Sequence, residues 1–532
     1  MNTVRSFFAA ATAACLSTAQ PAVAHDARDN PFGVVHFRTS CNEPAQRSFD
    51  QAMLYQHSFW YREARKQFDE VLASDPQCAI AYWGIALSLL FNPHVATPPK
   101  NLGLGLAALE KGKAAGAKTQ RERDYIEALL VFYSGDKVPH GQRVQRYLEA
   151  VEALARRYPD DDEAQIAYAL TLNVAASPND KTYAYQLKGA AILEPIFKRQ
   201  PRHPGVAHYL VHLYDYPAIA DKGLDAARRY AEIAPAAPHA LHMPSHIFTR
   251  VGYWNESISS NAASARAAKE NKELHDQLHA MDYLVYAHLQ LAQDREARAV
   301  VDEMISIEGY NPAVRTGPYA VAASRARYMI ERGDWKGAAA LQVGLSQFAY
   351  VDAIAHFARA LGAARTFDLP AAKADTARLA ELREELRKAQ DAYWAEQVDI
   401  QWQVASAWLL HAGGKRAEAL AMMGAAADAE DRTEKSVVTP GPLAPARELY
   451  GMMLLENGMS AAALAQFEAT LQKEPNRFNA YAGAAECATR IGNKDKAREY
   501  SEKLVALAGG GHSTRPAVAA ARQLLAARQE QR

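Results

Sequence analysis

Histidines are concentrated in one short part of the sequence. The segments HPGVAHYLVHLYD (203–215) and PHALHMPSHIFTR (238–250) contain three each, whereas all 532 residues contain 17. Imidazole nitrogens are good ligands for zinc, copper, iron and nickel. The clustering therefore points to a candidate metal site, provided that the surrounding elements bring the rings together.

Two histidine pairs have the spacing of one helix face. His208 and His212 are four residues apart, as are His242 and His246, and the second pair follows the first after 34 residues. Side chains at positions i and i+4 of a helix lie about 5–6 Å apart, and neighbouring helices pack about 8–10 Å apart. Four rings on two adjacent helices can therefore meet at one point.

The offset of 34 residues is also the period of much of the chain. Small residues, aromatic residues and a terminal proline recur at fixed positions, as in the tetratricopeptide repeat, where two antiparallel helices pack closely. The units that fit this frame are 45–78, 204–237, 238–271, 278–311, 444–477 and 478–511. Since no segment alternates like a strand, we predict an all-α fold, a tetratricopeptide-type α-solenoid of antiparallel helix pairs.

The domain organisation follows from this frame and from the composition of the remaining segments. We predict a signal peptide (1–24), an N-terminal segment (25–44), N-terminal repeat-like helices (45–135), a central repeat region with the histidine cluster (136–311), degenerate helical repeats (312–435), C-terminal repeat units (436–511) and a C-terminal helical tail (512–532).

The resemblance to tetratricopeptide arrays implies where the histidines point. In such arrays, positions 2, 5 and 9 of each first helix face the concave groove, and both histidine pairs occupy positions 5 and 9. His239 and His279 take position 2 of two consecutive units, and Asp282 takes position 5 of the later one. We therefore predict a single metal cage in the groove, with these candidate ligands: His208, His212, His242, His246, His239, His279 and Asp282.

Pro244 interrupts the helix that carries one of the pairs. Proline removes a backbone hydrogen bond and clashes with the carbonyl four residues back, and it biases Met243 toward an extended conformation. The helix is expected either to kink at Pro244 or to begin there. In the second case His239 and His242 lie on an entry loop, and the cage is distorted.

The N-terminus has the features of an export signal. Arg5 precedes a mostly small and apolar stretch (6–19), and an A-x-A sequence at 22–24 is a cleavage signal. We predict cleavage after Ala24, with His25 as the first mature residue, and a periplasmic or secreted location. No later apolar run is long enough to span a membrane, so no membrane insertion is expected.

The charge balance bears on the class of binding partner, and the cysteines predict a disulfide. Basic and acidic residues each number 60, so no basic field is available for nucleic acid. Cys41 and Cys78 flank the two antiparallel helices of unit 45–78 and should lie at the same end of the pair, which in an oxidising compartment favours a disulfide between them. Cys487 is expected to be a buried free thiol.

Longer strings resemble one family of exported bacterial tetratricopeptide-repeat proteins. They are HPGVAHYLVHLYDYP, APHALHMPSHIFTRVGYWNESISSN, LHAMDYLVYAHLQL and VTPGPLAPARELYG. The resemblance covers most of the mature chain and implies its fold and its location rather than a chemistry. One departure is Ser436, which stands where the family pattern has a histidine before VTPGP, so no ligand is expected from that position.

The sequence leaves three functions open. The first is a periplasmic solenoid whose histidine-rich groove binds a divalent transition metal, with zinc or copper favoured, with or without a protein or peptide partner. The second is a metal-free scaffold that binds a protein or peptide in the groove, with Tyr209 and Tyr286 as aromatic contacts unless both are core residues. The third is a metal-dependent hydrolase or oxidase. It ranks last because no HExxH, GxSxG or P-loop sequence is present and a repeat groove is usually a binding surface.

Overall fold

The computed structural model describes residues 30–135, 137–344, 346–509 and 513–529, all helices and connecting loops with no strand among them. The N-terminal helices are α1 (Glu43–His57), α2 (Tyr61–Ser74), α3 (Ala79–Leu89), α4 (Pro99–Ala115), α5 (Gln120–Tyr133), α6 (His140–Arg157), α7 (Asp162–Ala175) and α8 (Ala184–Arg199). The predicted all-α fold is confirmed. The predicted signal peptide lies outside the described residues.

The central helices carry the histidine segments. They are α9 (Pro204–Tyr214), α10 (Leu224–Ile233), α11 (Pro238–His242), α12 (Pro244–Val251), α13 (Trp254–Glu270), α14 (Leu274–Gln290) and α15 (Asp294–Ser306), with a 3₁₀ turn at Ala220–Gly223. The C-terminal helices are α16 (Thr316–Glu331), α17 (Trp335–Ala339), α18 (Ala349–Arg365), α19 (Leu369–Lys388), α20 (Ala392–Ala412), α21 (Arg416–Arg432), α22 (Ala446–Glu456), α23 (Ser460–Lys473), α24 (Phe478–Arg490), α25 (Lys494–Leu507) and α26 (Pro516–Gln529).

Close packing between consecutive helices explains the small residues of the repeat pattern. The ring of Phe68 on α2 lies against Gly84 on α3, where an added Cβ would come within 2.3 Å of it. The same pairing recurs near the C-terminus between Phe467 on α23 and Gly483 on α24, again at 2.3 Å. A large ring therefore fits against a residue without a side chain in both repeats, and replacing either glycine would force the helices apart.

The first helix pair is closed by a covalent bond. Cys41 and Cys78 form a disulfide with their Cα atoms 5.1 Å apart, the pairing that the sequence favours. Both cysteines lie at the same end of α1 and α2. Cys487 is a buried free thiol.

The helix with the central proline is kinked rather than shortened. Met243 between α11 and α12 keeps right-handed helical angles (φ −53°, ψ −36°), and the His246 amide bonds the Met243 carbonyl at 3.1 Å, a tighter turn than in a regular helix. The chain therefore winds through Pro244 without unfolding. As a result, His239 and His242 are helical, and the expected distortion from an entry loop does not occur.

Candidate metal centre

Three histidines of α9 and α11 form the first trio, defined as His208, His212 and His239. The Nε2 atom of His208 lies 3.1 Å from Nε2 of His212 and 3.1 Å from Nε2 of His239. The Nδ1 atom of His208 donates to the backbone carbonyl of His57 at 2.7 Å. This bond leaves Nε2 of His208 as an unprotonated ligand atom that points at its two neighbours.

Three further histidines of α11, α12 and α14 form the second trio, defined as His242, His246 and His279. The Nε2 atoms of His242 and His246 are 3.0 Å apart. His279 completes a group whose three ligand atoms all lie within 4.8 Å of one another. Its ring centre is 4.4 Å from that of His242.

Hydrogen bonds fix the tautomers of His242 and His246. The Nδ1 atom of His242 faces Asn261 Oδ1 at 2.7 Å, and the amide orientation is set because Asn261 Nδ2 donates to the Ser257 carbonyl at 2.7 Å. The Nδ1 atom of His246 faces the carboxylate of Asp215 at 2.8 Å. Both partners accept, so both histidines carry their proton on Nδ1.

The surroundings of the second trio keep Asp215 ionised and His242 and His246 neutral. Burial alone would raise the pKa of Asp215, but Lys435 and Arg250 hold it well below its usual range, so Asp215 is an anion. Burial lowers the pKa of His246 despite the neighbouring carboxylate, and burial together with His279 and other rings lowers that of His242 strongly. Neither ring is therefore ready to accept a second proton.

Two unprotonated nitrogens thus face each other at 3.0 Å in a buried space. Their lone pairs repel unless a cation lies between them, and the lowered pKa values disfavour a proton in that role. Ligand bonds of about 2.0–2.1 Å to a shared ion would place these atoms at an angle of roughly 90–100°, which transition metals accept. The donor set therefore fits a metal ion.

A third cluster provides an internal contrast. Glu163 accepts from His57 Nε2 at 3.1 Å and from His203 Nε2 at 3.0 Å. The other ring nitrogens are acceptors, for the Tyr209 hydroxyl at 3.0 Å and for the Val206 amide at 3.3 Å. Every ring nitrogen in this Glu163 network has a partner of the opposite kind, so the network is satisfied without a metal.

The structure corrects the predicted single cage in three ways. Six of the seven candidates divide into two trios of imidazoles, because each position-2 histidine joins only one pair. Asp282 belongs to neither trio: its carboxylate accepts from Ser324 at 3.0 Å and pairs with Arg327 at 3.7 Å on α16. The histidine pairs are also buried rather than displayed on an open groove, since His208 and His246 are 0% and 1% exposed, whereas His239 and His279 are half-buried.

The proposed aromatic contacts to a peptide are wrong. Tyr209 is 3% exposed and bonds His57, while Tyr286 is 2% exposed and accepts from Arg477 at 2.7 Å. Both are core residues. Neither is therefore available as a surface contact for a peptide.

Comparison with known proteins supports no closer assignment than a helical repeat. No protein-family model and no curated protein matches the sequence. Among solved structures, the chain is similar to the human IFIT1 dimer with PPP-AAAA (12% identity, TM-score 0.37, 88% of this chain and 92% of that chain). It is also similar to Cut9 with Hcn1 in an APC/C hetero-tetramer (11%, 0.36, 92% and 78%) and to yeast Tom70 (11%, 0.30, 91% and 89%).

None of the described helices is both long and apolar enough to cross a membrane.

Residues that surround the trios were missed by the sequence analysis, namely Asp215 and Asn261, described above, and two residues from loops. His94, in the loop after α3, has its ring centre 4.6 Å from that of His212, and its buried Nε2 has no hydrogen-bond partner among the described residues. Lys435, in the loop before α22, donates to Asp215 at 3.0 Å. Neither residue falls in the repeat register. The only sequence signal for Lys435 was its place beside the VTPGP string.

Proposed function

We propose that this protein is an exported helical-repeat protein that binds transition metal ions, zinc or copper, through the two histidine trios. The observation that carries the proposal is the pair of His242 and His246 nitrogens, which face each other at 3.0 Å with both protons committed elsewhere. The Glu163 network shows that this chain can satisfy buried histidines fully. The facing nitrogens of His242 and His246 lack such partners, and a bound metal ion would supply the missing positive charge between them.

Residues outside the trios act by orienting the ligands. A carboxylate or carbonyl on Nδ1 fixes the ring and makes Nε2 a better donor to a metal. Asp215 does this for His246, Asn261 for His242 and the His57 carbonyl for His208. Three ligand rings on three helices are thus held in place before any metal binds.

Metal analysis of protein purified without a histidine tag tests the proposal. We expect stoichiometric zinc or copper, and titration calorimetry on metal-stripped protein should recover tight binding. His212→Gln and His246→Gln should each lower affinity markedly, because each removes a ligand bond. His288→Gln is the matched control: His288 lies on α14, bonds Gln293 at 2.6 Å and belongs to neither trio. Absence of metal in the purified protein together with no binding on titration would overturn the proposal.

Export is the second part of the proposal. It is supported by the N-terminal signal pattern and agrees with the disulfide, since disulfides persist in oxidising compartments. N-terminal sequencing of protein from a fractionated bacterial host should find His25 first, in the periplasmic or secreted fraction. Intact Met1 on cytoplasmic protein would contradict it.

A further inference from the structure

The two trios lie next to each other in the same helical register. The ring centres of His212 and His246 are 6.1 Å apart, and those of His239 and His242 are 6.2 Å apart. Rings of the two trios are thus direct neighbours. Two ions bound in this way would be neighbours rather than occupants of distant sites.

Both trios consist of neutral ligands. Neither contains a carboxylate, and the nearby carboxylate of Asp215 already pairs with Arg250 at 2.8 Å and Lys435 at 3.0 Å. Two Zn²⁺ ions would bring four positive charges into buried surroundings with no anionic ligand, whereas two Cu⁺ ions bring two. Copper also heads the affinity order of divalent ions for nitrogen ligands. The donor set therefore favours copper, because imidazole binds both Cu⁺ and Cu²⁺.

The centre is closed on one side and reached from another. The ring of Phe59 covers the first trio, with its centre 4.3 Å from His208, 5.8 Å from His212 and 5.3 Å from His239. A cleft of about 690 Å³ reaches the first trio at His212, and His94, Asp215 and Lys435 are also among its lining residues.

His94 is the polar group best placed to act on a ligand that arrives through this cleft. Its ring lies beside His212, and its buried Nε2 has no hydrogen-bond partner within the part of the chain that the structure describes. A buried polar atom without a partner is costly. Such an atom at the mouth of a metal centre is positioned to bind either the ion itself or a small molecule on it.

Building on the proposed metal binding, we infer that the two trios hold a pair of copper ions as one dinuclear centre, and that its ligand from the cleft is dioxygen. In the reduced centre each Cu⁺ transfers one electron to the O₂ molecule. The product is a peroxide dianion held between two Cu²⁺ ions. The O–O bond stays intact, and no proton or further reductant is needed for this step.

Copper loading and oxygen binding test the inference directly. Metal-stripped protein is loaded with Cu⁺ without air, and the copper is counted; we expect two ions per chain. On exposure to air, one O₂ should be taken up per two copper ions, with an intense new near-ultraviolet absorption. In a separate sample, metal-stripped protein is loaded with Cu²⁺ and mixed with azide as a bridging probe. Its electron paramagnetic resonance signal should fall far below two spins per chain, because bridged Cu²⁺ ions couple their spins.

Two variants separate a dinuclear centre from two independent sites. His279→Gln weakens only the second trio. We expect about one copper per chain, no oxygen uptake by the Cu⁺-loaded variant, and a full single-ion resonance signal from the Cu²⁺-loaded variant. His288→Gln, on the same helix and outside both trios, should behave as the wild type. Two copper ions with a full two-spin signal and no oxygen uptake, or retention of zinc alone, would overturn the inference while leaving the proposed metal binding intact. Failure to retain any metal would overturn both.

Discussion

Replacing His242 with phenylalanine distinguishes a metal site from an ordinary buried histidine pair. Without metal, the wild type holds two lone pairs at 3.0 Å. The phenylalanine ring is larger than imidazole, so His242→Phe removes one of these lone pairs without opening a cavity, and the cost of fitting the larger ring is shared by the control variant described below. The substitution also removes the Nδ1 donor to Asn261, which keeps a contact of 3.3 Å from the Ser245 hydroxyl.

The expected sign follows from these two terms. An unsatisfied buried acceptor costs about 1–3 kcal/mol, and a neutral hydrogen bond contributes about 0.5–1.5 kcal/mol. Apart from the cost of fitting the larger ring, the mid-points of these two ranges make the metal-free variant more stable than the metal-free wild type by roughly 1 kcal/mol. With metal at about a thousand times its dissociation constant, the wild type gains roughly 4 kcal/mol. The variant should lose most of that gain, so the order of stability reverses.

His203→Phe is the matched control in the Glu163 network. His203 is 1% exposed, against 2% for His242, but its Nε2 donates to the Glu163 carboxylate. Losing a hydrogen bond to a charged group costs about 1.5–3 kcal/mol. This variant should therefore be less stable than the wild type, whether metal is present or not.

Urea unfolding of the three proteins, with a chelator and with added zinc, measures these differences. Because helical repeats can unfold in steps, hydrogen exchange of peptides from 204–251 should be followed in the same samples. Equal destabilisation by His242→Phe and His203→Phe in the chelator, with no effect of zinc on the wild type, would refute the argument from lone pairs.

Three other perturbations have defined outcomes. Asp215→Asn removes the anion that orients the second trio, and competition titration should show metal affinity there about 10–100-fold lower; unchanged affinity would deny Asp215 an orienting role. Replacing both Cys41 and Cys78 with serine removes a disulfide across a sequence separation of 37. Urea unfolding should show a free energy of unfolding lower by about 4 kcal/mol on the chain-entropy model. An unchanged free energy of unfolding would mean that the thiols are free in the wild type. Burial raises the pKa of Glu430 from 4.5 to about 7. Its contribution to stability is therefore complete below pH 4.5 and is lost as the pH rises to about 7. Across this window the wild type should lose free energy of unfolding relative to Glu430→Gln, and parallel profiles of unfolding free energy against pH would contradict the shift.

The helical repeat could be predicted from the sequence because its signals are local. The 34-residue frame depends on small and aromatic residues that pack between consecutive helices, as Phe68 does against Gly84. Each such contact lies within one unit and its neighbour. The same frame placed the two histidine pairs on adjacent helices, where the structure has them.

The division of the site into two trios was not predictable from that frame. Ligand grouping depends on which way each ring turns, and the rings are oriented by residues that the repeat pattern does not mark. Asp282 occupies a groove position in the frame, yet Arg327 and Ser324 on α16 engage its carboxylate. His94 lies in a loop with no fixed position in any repeat, so only the three-dimensional structure brings it beside His212.

The loop between α21 and α22 connects parts of the solenoid that are distant in sequence. In a simple repeat array each unit contacts only its neighbours, but this loop reaches the central helices directly. Lys435 bonds Asp215 across 220 residues of sequence, and the Tyr283 hydroxyl donates to the Thr439 carbonyl at 3.2 Å. Tyr283 also lies 3.4 Å from His246. The second trio is therefore held by both the central repeats and a segment that precedes the C-terminal ones. A metal ion bound there, as we propose, would stabilise their association as well as its own ligands. The proposed metal binding would thus be coupled to long-range packing through the loop.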